Sequence, residues 1–339
     1  MSFFRTGNST SGFNNIYSYN EVLTLMPQNS STSLYNYVST LISQGQTKSQ
    51  ILSAARYLEY VQANGYTLET FSSQMYATKT FTTVGSLSWN AGIFGGSAAS
   101  ILVVAGGGSG GSSDNTGGGG AGGVITASSY TVPTTNITVT VGDGGIAPLS
   151  DGFSGVDGQN SVFNNLICYG GGGGGIASGV GRAGGSGGGG GQSAVGGSAT
   201  QTSMNGGTGY GNTGGSGAGS ASNGGGGGGG AGGVGGLANT ANPGSGGNGI
   251  QWFGTYYGGG GGGGEVQADN NVAGIGGLGG GGTGATNTSP GSAVNGVANT
   301  GGGGGGSPQG GGAGKVQGNG GSGIVIVRFA ITVPASFGA

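Results

Sequence analysis

Glycine sets the terms for this chain. Of its 339 residues 98 are Gly, and only five of those (Gly7, Gly12, Gly45, Gly65, Gly85) fall before residue 91. A stretch without side chains buries almost no apolar area, and Gly loses more conformational entropy on ordering than any other residue. Residues 91–339 therefore either remain a coil or fold on hydrogen bonds made by the backbone itself. The change of composition near residue 90 marks a domain boundary.

The rest of the composition excludes whole classes of chemistry. There is no His, so neither His-based nucleophilic catalysis nor a His-ligated metal is available. The single Cys, Cys168, makes no internal disulfide and no Cys-rich zinc site. A net charge of −2 argues against nucleic-acid binding. Seven Pro and no Gly-X-Y period exclude collagen. The start, MSFFRTGNSTSG, does not read as a signal peptide, and no apolar run is long enough to span a membrane.

Before the glycine begins, the pattern predicts helices. Leu34, Val38, Leu41 and Ile42 share one helical face, with Gly45 as the stop. Thr47 and Gln50 form a capping box, and Ile51, Ala55, Leu58 and Val61 make the next apolar stripe, ended by Asn64-Gly65. Shorter helices are expected over Tyr19–Met26 and Leu68–Met75. Strands follow. Residues 81–84 and 86–89 carry short β signals, and Trp89 is expected in the core. Ile101–Ala105 is a continuous apolar run, and Ile137–Val141 alternates Ile/Val with Thr. Tyr130–Val132, Val162-Phe163, Leu166–Tyr169 and Ile324–Phe329 complete the set.

Between these strands lie pure Gly runs at 117–120, 170–175, 187–191, 224–230, 258–264, 279–282 and 301–306. One reading is a flexible linker. The other is an ordered lattice of polyglycine-II helices, three residues per turn, whose outward N–H and C=O groups bond to neighbouring helices. Runs of similar length, apolar spacers such as Gly249–Phe253 and a strand at each end favour the lattice. The expected fold class is α+β: a small N-terminal helical segment, then a sheet-framed domain of packed polyglycine-II helices. The expected divisions are residues 1–78 for helical attachment or oligomerisation, 79–169 for the β-rich part, 170–322 for the lattice with variable loops, and 323–339 for the closing strand and tail.

Several pieces carry a resemblance: Ile101-Leu102-Val103-Val104-Ala105-Gly106-Gly107-Gly108; Tyr130-Thr131-Val132 with Thr138-Val139-Thr140-Val141-Gly142-Asp143-Gly144-Gly145; Gly158–Phe163; the Tyr169 and Tyr257 junctions with Gly runs; and Gly321–Arg328. Over about residues 80–330 the chain resembles the glycine-rich domain of phage tail fibres and adhesins, seen also in large algal viruses. The resemblance implies a virion protein. In the tail-tip adhesins of T-even-like phages a related lattice presents variable loops to the host.

Candidate binding residues are aromatic. Trp252, Phe253, Tyr256 and Tyr257 cluster between two Gly runs, and Tyr210 sits in another spacer. Aromatic faces stack on sugar rings and anchor interfaces at low entropy cost; a local core at the lattice end is the competing reading. The polar spacers 192–212, 265–271 and 283–300 suit adaptable hydrogen bonding or plain solvation. Asp143, Asp151 and Asp157 read as solvated turn residues rather than calcium ligands. Gly314-Lys315 resembles a P-loop end, but Gln309 and Val316 occupy two of the motif's required positions.

The expected function is host adhesion, without catalysis, cofactor or metal. After Lys79 only six acidic and three basic residues remain. Expected partners are a host surface glycan or outer-membrane protein, other virion proteins through the N-terminal helices, and further copies in a homo-trimer by analogy with fibres. Nucleic acid and membrane insertion are not expected, and the expected location is the virion. The alternatives are a capsid or fibre decoration with a structural role alone, and an ice-binding polyglycine protein.

Overall fold

A computed structural model of the chain describes residues 38–41, 43–44, 46–71, 74–112, 114–219, 224–239, 242–265, 272–286, 291–308 and 317–332. The expected helix over Tyr19–Met26 and the Gly314-Lys315 pair lie outside these residues, as do parts of the 265–271 and 283–300 spacers. The chain divides into two compact units. One holds residues 1–79, 92–97 and 328–339, the other residues 80–91 and 98–327.

The smaller unit contains helix α1, Lys48–Ala63. Thr47 caps it: its side chain accepts from the Gln50 N–H, and the Gln50 side chain accepts from the Thr47 N–H at 2.8 Å. Asn64 ends the helix and Gly65 follows with φ +82°, the left-handed conformation a helix stop requires. Ile51, Ala54, Ala55, Leu58 and Val61 are buried along one face. Strands β1 (Thr67–Phe71) and β2 (Gln74–Phe81) pair antiparallel, Thr67 opposite Thr78. Phe94, Tyr66 and Phe329 form an aromatic knot: Phe94 stacks on Phe329 at 4.6 Å, and Tyr66 meets each ring edge-on. Glu69 accepts from the Arg328 guanidinium and from Thr78 Oγ1.

The larger unit is built on sheet. Its strands are β3 (Gly85–Trp89), β4 (Ala98–Val104), β5 (Val124–Thr131), β6 (Ile137–Val141), β7 (Ser161–Phe163), β8 (Leu166–Cys168), β9 (Thr208–Tyr210), β10 (Ile250–Trp252) and β11 (Thr255–Tyr257). The last strand, β12 (Ile324–Ala330), contributes its first four residues here. One sheet runs β12-β4-β5-β9, a second β3-β6-β7-β8, and β10-β11 is a separate hairpin. The unbroken run Ile101–Val104 is explained by burial on both faces. Ile101 and Val103 share one face, where β7 and β8 pack and Cys168 Sγ donates to the Val103 carbonyl at 3.1 Å. Leu102 and Val104 share the other, under the β10-β11 hairpin. Trp89 is half-buried, edge-on to Phe81 at 5.3 Å.

The glycine runs are interior. In residues 117–123 each N–H bonds to another segment, and the partner changes with every residue. Gly117, Gly120 and Gly123 donate to the carbonyls of Gly175, Gly172 and Tyr169. Gly118 and Ala121 donate to Gly226 and Gly229, and Gly119 and Gly122 to Gly304 and Gly301. Their carbonyls accept with the same three-residue period, from residues 105–111, 186–189 and 261. One strand of chain thus bonds to six surrounding segments. A Cβ built on Gly119 would fall on the Gly108 carbonyl oxygen, and one on Gly228 on that of Gly119. Only glycine lets backbones approach this closely.

The α+β expectation is overturned. The protein is mostly β, with three antiparallel sheets and, among the described residues, one α-helix of any length. Two causes are visible. Leu68–Met75, expected as a helix, falls in the β1-β2 pair, whose Thr, Tyr and Phe content suits a pleated sheet better. The glycine runs bond sideways to other segments rather than within themselves, so they add no α-helix to the fold.

Two outcomes follow from this packing. Gly119→Ala is expected to destabilise the chain by about 3 kcal/mol or more through backbone overpacking. Gly233→Ala, whose added Cβ would sit 3.6 Å from its nearest neighbour, is expected to be tolerated; thermal melts compare the two. In the smaller unit, burial pushes the Glu59 carboxyl from its ordinary 4.5 up to about 7. Between those values the folded chain holds a proton that the unfolded chain has lost, so stability falls as pH rises from about 4.5 to about 7. Glu59→Gln is expected to flatten that slope in melts followed by helix circular dichroism.

Candidate functional site

The aromatic cluster lies on the β10-β11 hairpin of the larger unit. Trp252 pairs with Thr255 across a two-residue turn made by Phe253 and Gly254. Their φ values of +45° and +86° define a type I′ turn. Strand alternation sorts the side chains. Trp252 and Tyr257 point down and are each 9 % exposed, packed with Leu102, Val104, Val124, Ala231, Ile324 and Ile326. Tyr210, Ile250 and Phe253 lie partly buried against that cluster. Tyr256 faces outward, 40 % exposed, opposite Gln251. The five candidates are therefore not one binding surface. Two are core, Tyr210 borders the core, Phe253 sits at the turn, and Tyr256 is turned to solvent.

Phe253 stands apart among residues at positive φ. Every other described non-Gly residue with positive φ is Asn: Asn115, Asn164, Asn205 and Asn299. Asn tolerates this region because its short polar side chain bonds locally, whereas a bulky residue there costs about 1–2 kcal/mol. The comparison is sharpest with Asn205-Gly206, whose φ values of +50° and +82° make the same turn between Met204 and Gly207. One turn uses Asn-Gly and the other Phe-Gly. The Phe253 ring meets Trp252 at 4.6 Å and 70°.

Both turns open on one groove of about 320 Å³. Trp252 and Phe253 form its aromatic wall, Gly206 and Ala127 line it, and Ser100, Thr126, Ser128 and Thr208 bring four hydroxyls into it. No charged side chain lines the groove. Among the described residues none of the four hydroxyls has a hydrogen-bond partner. A bulge shapes this wall. Ala99 pairs with Tyr130 and Ile101 with Ala127, so Ser128 and Ser129 together face Ser100. The bulge breaks the two-residue alternation, and consecutive residues Ala127 and Ser128 both reach the groove. The sequence carries one trace of this, the Ser128-Ser129 pair that interrupts a β pattern; the joining of β4, β5, β9 and β10 around one hollow is invisible in it.

The acidic turn residues are placed elsewhere. Asp157, though partly solvent-exposed, also makes specific bonds: its two carboxylate oxygens accept from Arg182 Nε and Nη2, each at 2.7 Å, and Oδ1 also accepts from the Gly173 N–H. Asp143 accepts from the Gly144 N–H. Both carboxylates thus bind backbone at the edge of the glycine lattice.

Trp252→Ala is expected to cost about 3–5 kcal/mol, as for a buried aromatic, while Tyr256→Ala stays within about 0.5 kcal/mol. Urea unfolding of the two variants checks this; equal losses would refute the sorting of the cluster into core and surface.

Among curated proteins none matches the chain. The profile of a family described as a glycine-rich domain matches residues 82–330, from the end of β2 to the last residue of β12. That span holds all the sheet of the larger unit and every glycine run, so the chain belongs to the glycine-rich domain family.

Proposed function

We propose that the chain is a virion structural protein, a phage tail fibre or tail-tip adhesin, whose glycine lattice holds binding loops against a host cell surface. The observation that carries this reading is the contrast between interior and rim. Inside, one added Cβ collides with a neighbouring backbone, as at Gly119. At the rim, the spacers hold large aliphatic side chains in solvent: Val234, Leu237, Ile275, Leu278, Val294 and Val297 are all exposed. Loops on a rigid frame suit recognition, because the frame holds them in place while the loops are free to vary.

The reading assigns binding and no reaction. Its partner is a glycan or a protein of the host surface, and its place is the virion, with residues 1–78 joining the chain to other virion proteins or to further copies in a trimer. Immunogold electron microscopy of source particles, with antibody raised to residues 80–339, tests it. Gold at the tips of tail fibres is the expected result. Gold spread over a capsid, or along filaments without a particle, would overturn adhesion in favour of a purely structural coat.

A further inference from the structure

We infer that the groove beside Phe253 is a binding subsite for an uncharged sugar ring, with the Phe253 ring as its stacking platform. The inference rests on the adhesin reading for the biological source of the sugar, but the site stands on its own geometry.

Three independent features converge on it. The first is the turn. Asn-Gly at 205–206 shows this chain making the same type I′ turn with a residue that suits it, Asn205, whose Nδ2 donates to the Asn165 carbonyl. The Phe253-Gly254 turn keeps a bulky ring in the same left-handed conformation. A strained residue that the surrounding structure holds in place is a mark of a functional site. Burial accounts for only part of the ring: Phe253 packs against Trp252 and the core cluster but stays half-buried.

The second feature is the polar lining. Ser100, Thr126, Ser128 and Thr208 present hydroxyls that are both donors and acceptors, without a partner among the described residues. A sugar ring offers the matching surface: an apolar face of C–H groups for the aromatic wall and an edge of hydroxyls for the lining. The third is charge. With no Lys, Arg, Asp or Glu lining the groove, it has nothing to pair with a carboxylate or phosphate, so a neutral sugar fits and a sialylated or phosphorylated one does not. The bulge that sets Ser128 into the groove is a further device of the kind that re-aims side chains beside binding sites.

The test uses the full chain and isothermal titration calorimetry. The probes are two neutral oligosaccharides, maltotriose and N,N′-diacetylchitobiose, and one anionic one, 3′-sialyllactose, each to about 10 mM. The expected result is binding of a neutral probe and none of the sialylated one. Phe253→Asn separates function from folding, because Asn suits the turn. Its melting temperature is expected to equal or exceed that of the parent chain, while affinity for the neutral probe falls by at least about tenfold. Thr208→Val, which removes one hydroxyl at nearly constant shape, is expected to weaken binding as well. Binding that survives Phe253→Asn, binding of the sialylated probe alone, or no binding of either neutral probe would overturn the proposal. Adhesion to host cells, measured in parallel, keeps the two readings apart. Cell adhesion that is equal for the parent chain and for Phe253→Asn leaves the adhesin reading standing and removes the groove from it. Parent chain that binds the neutral sugar through Phe253 but adheres to no cell removes the adhesin reading and leaves the subsite.

Discussion

The structure depends on backbone groups meeting backbone groups with nothing between them. Along residues 117–123 the N–H groups turn through three neighbouring segments and the carbonyls through three more. Each bond contributes only about 0.5–1.5 kcal/mol net, and each ordered glycine costs more entropy than any other residue. The arrangement is stable only when nearly every group on every segment is satisfied at once. A single segment could not hold this conformation alone, and a side chain inside would break bonds to two neighbours together. The absence of charge and of bulky residues in the runs is thus a packing requirement.

The sheets supply what the glycine cannot. Ile101–Val104 is buried on both faces, between the β7-β8 strands on one side and the β10-β11 hairpin on the other. This apolar layer leads directly into the lattice: β4 continues into residues 105–111, β8 into the run at 170, β11 into the run at 258, and the run ending at 323 into β12. Each strand fixes the starting register of the glycine segment joined to it. Asp157, held by Arg182 and by the Gly173 N–H, ties the rim in a similar way with side-chain groups. The candidate groove sits where sheet and hairpin meet, so its walls are held by the apolar layer and its opening faces solvent.

Much of this was legible residue by residue. The capping box at Thr47 and Gln50, the stop at Asn64-Gly65, the buried run at 101–104 and the alternation at 137–141 are local patterns, set by bonds or burial within a few residues. Leu68–Met75 shows where local reading fails. Its apolar spacing fits a helix, but β1 pairs with β2 instead, an arrangement that suits the Thr and aromatic side chains. The aromatic cluster shows a second limit. Trp252, Phe253, Tyr256 and Tyr257 look equivalent in sequence, yet a two-residue turn sends two of them into the core, one outward and one to the groove.

The sequence by itself narrowed the glycine-rich part to two states, a coil or a fold built on backbone hydrogen bonds, because 93 glycines after residue 90 offer almost no apolar area to bury. It determined the principal strands and the helix α1 as well, since those signals are periodic and short in range. Only the tertiary structure decided which segment bonds to which, because identical glycine runs carry no address of their own and take their register from the strands beside them. It alone also decided the site, because Ser100, Thr126, Ser128, Thr208 and Phe253 come from three separate strands and a turn, and meet only when a bulge and a strained hairpin place them around one hollow.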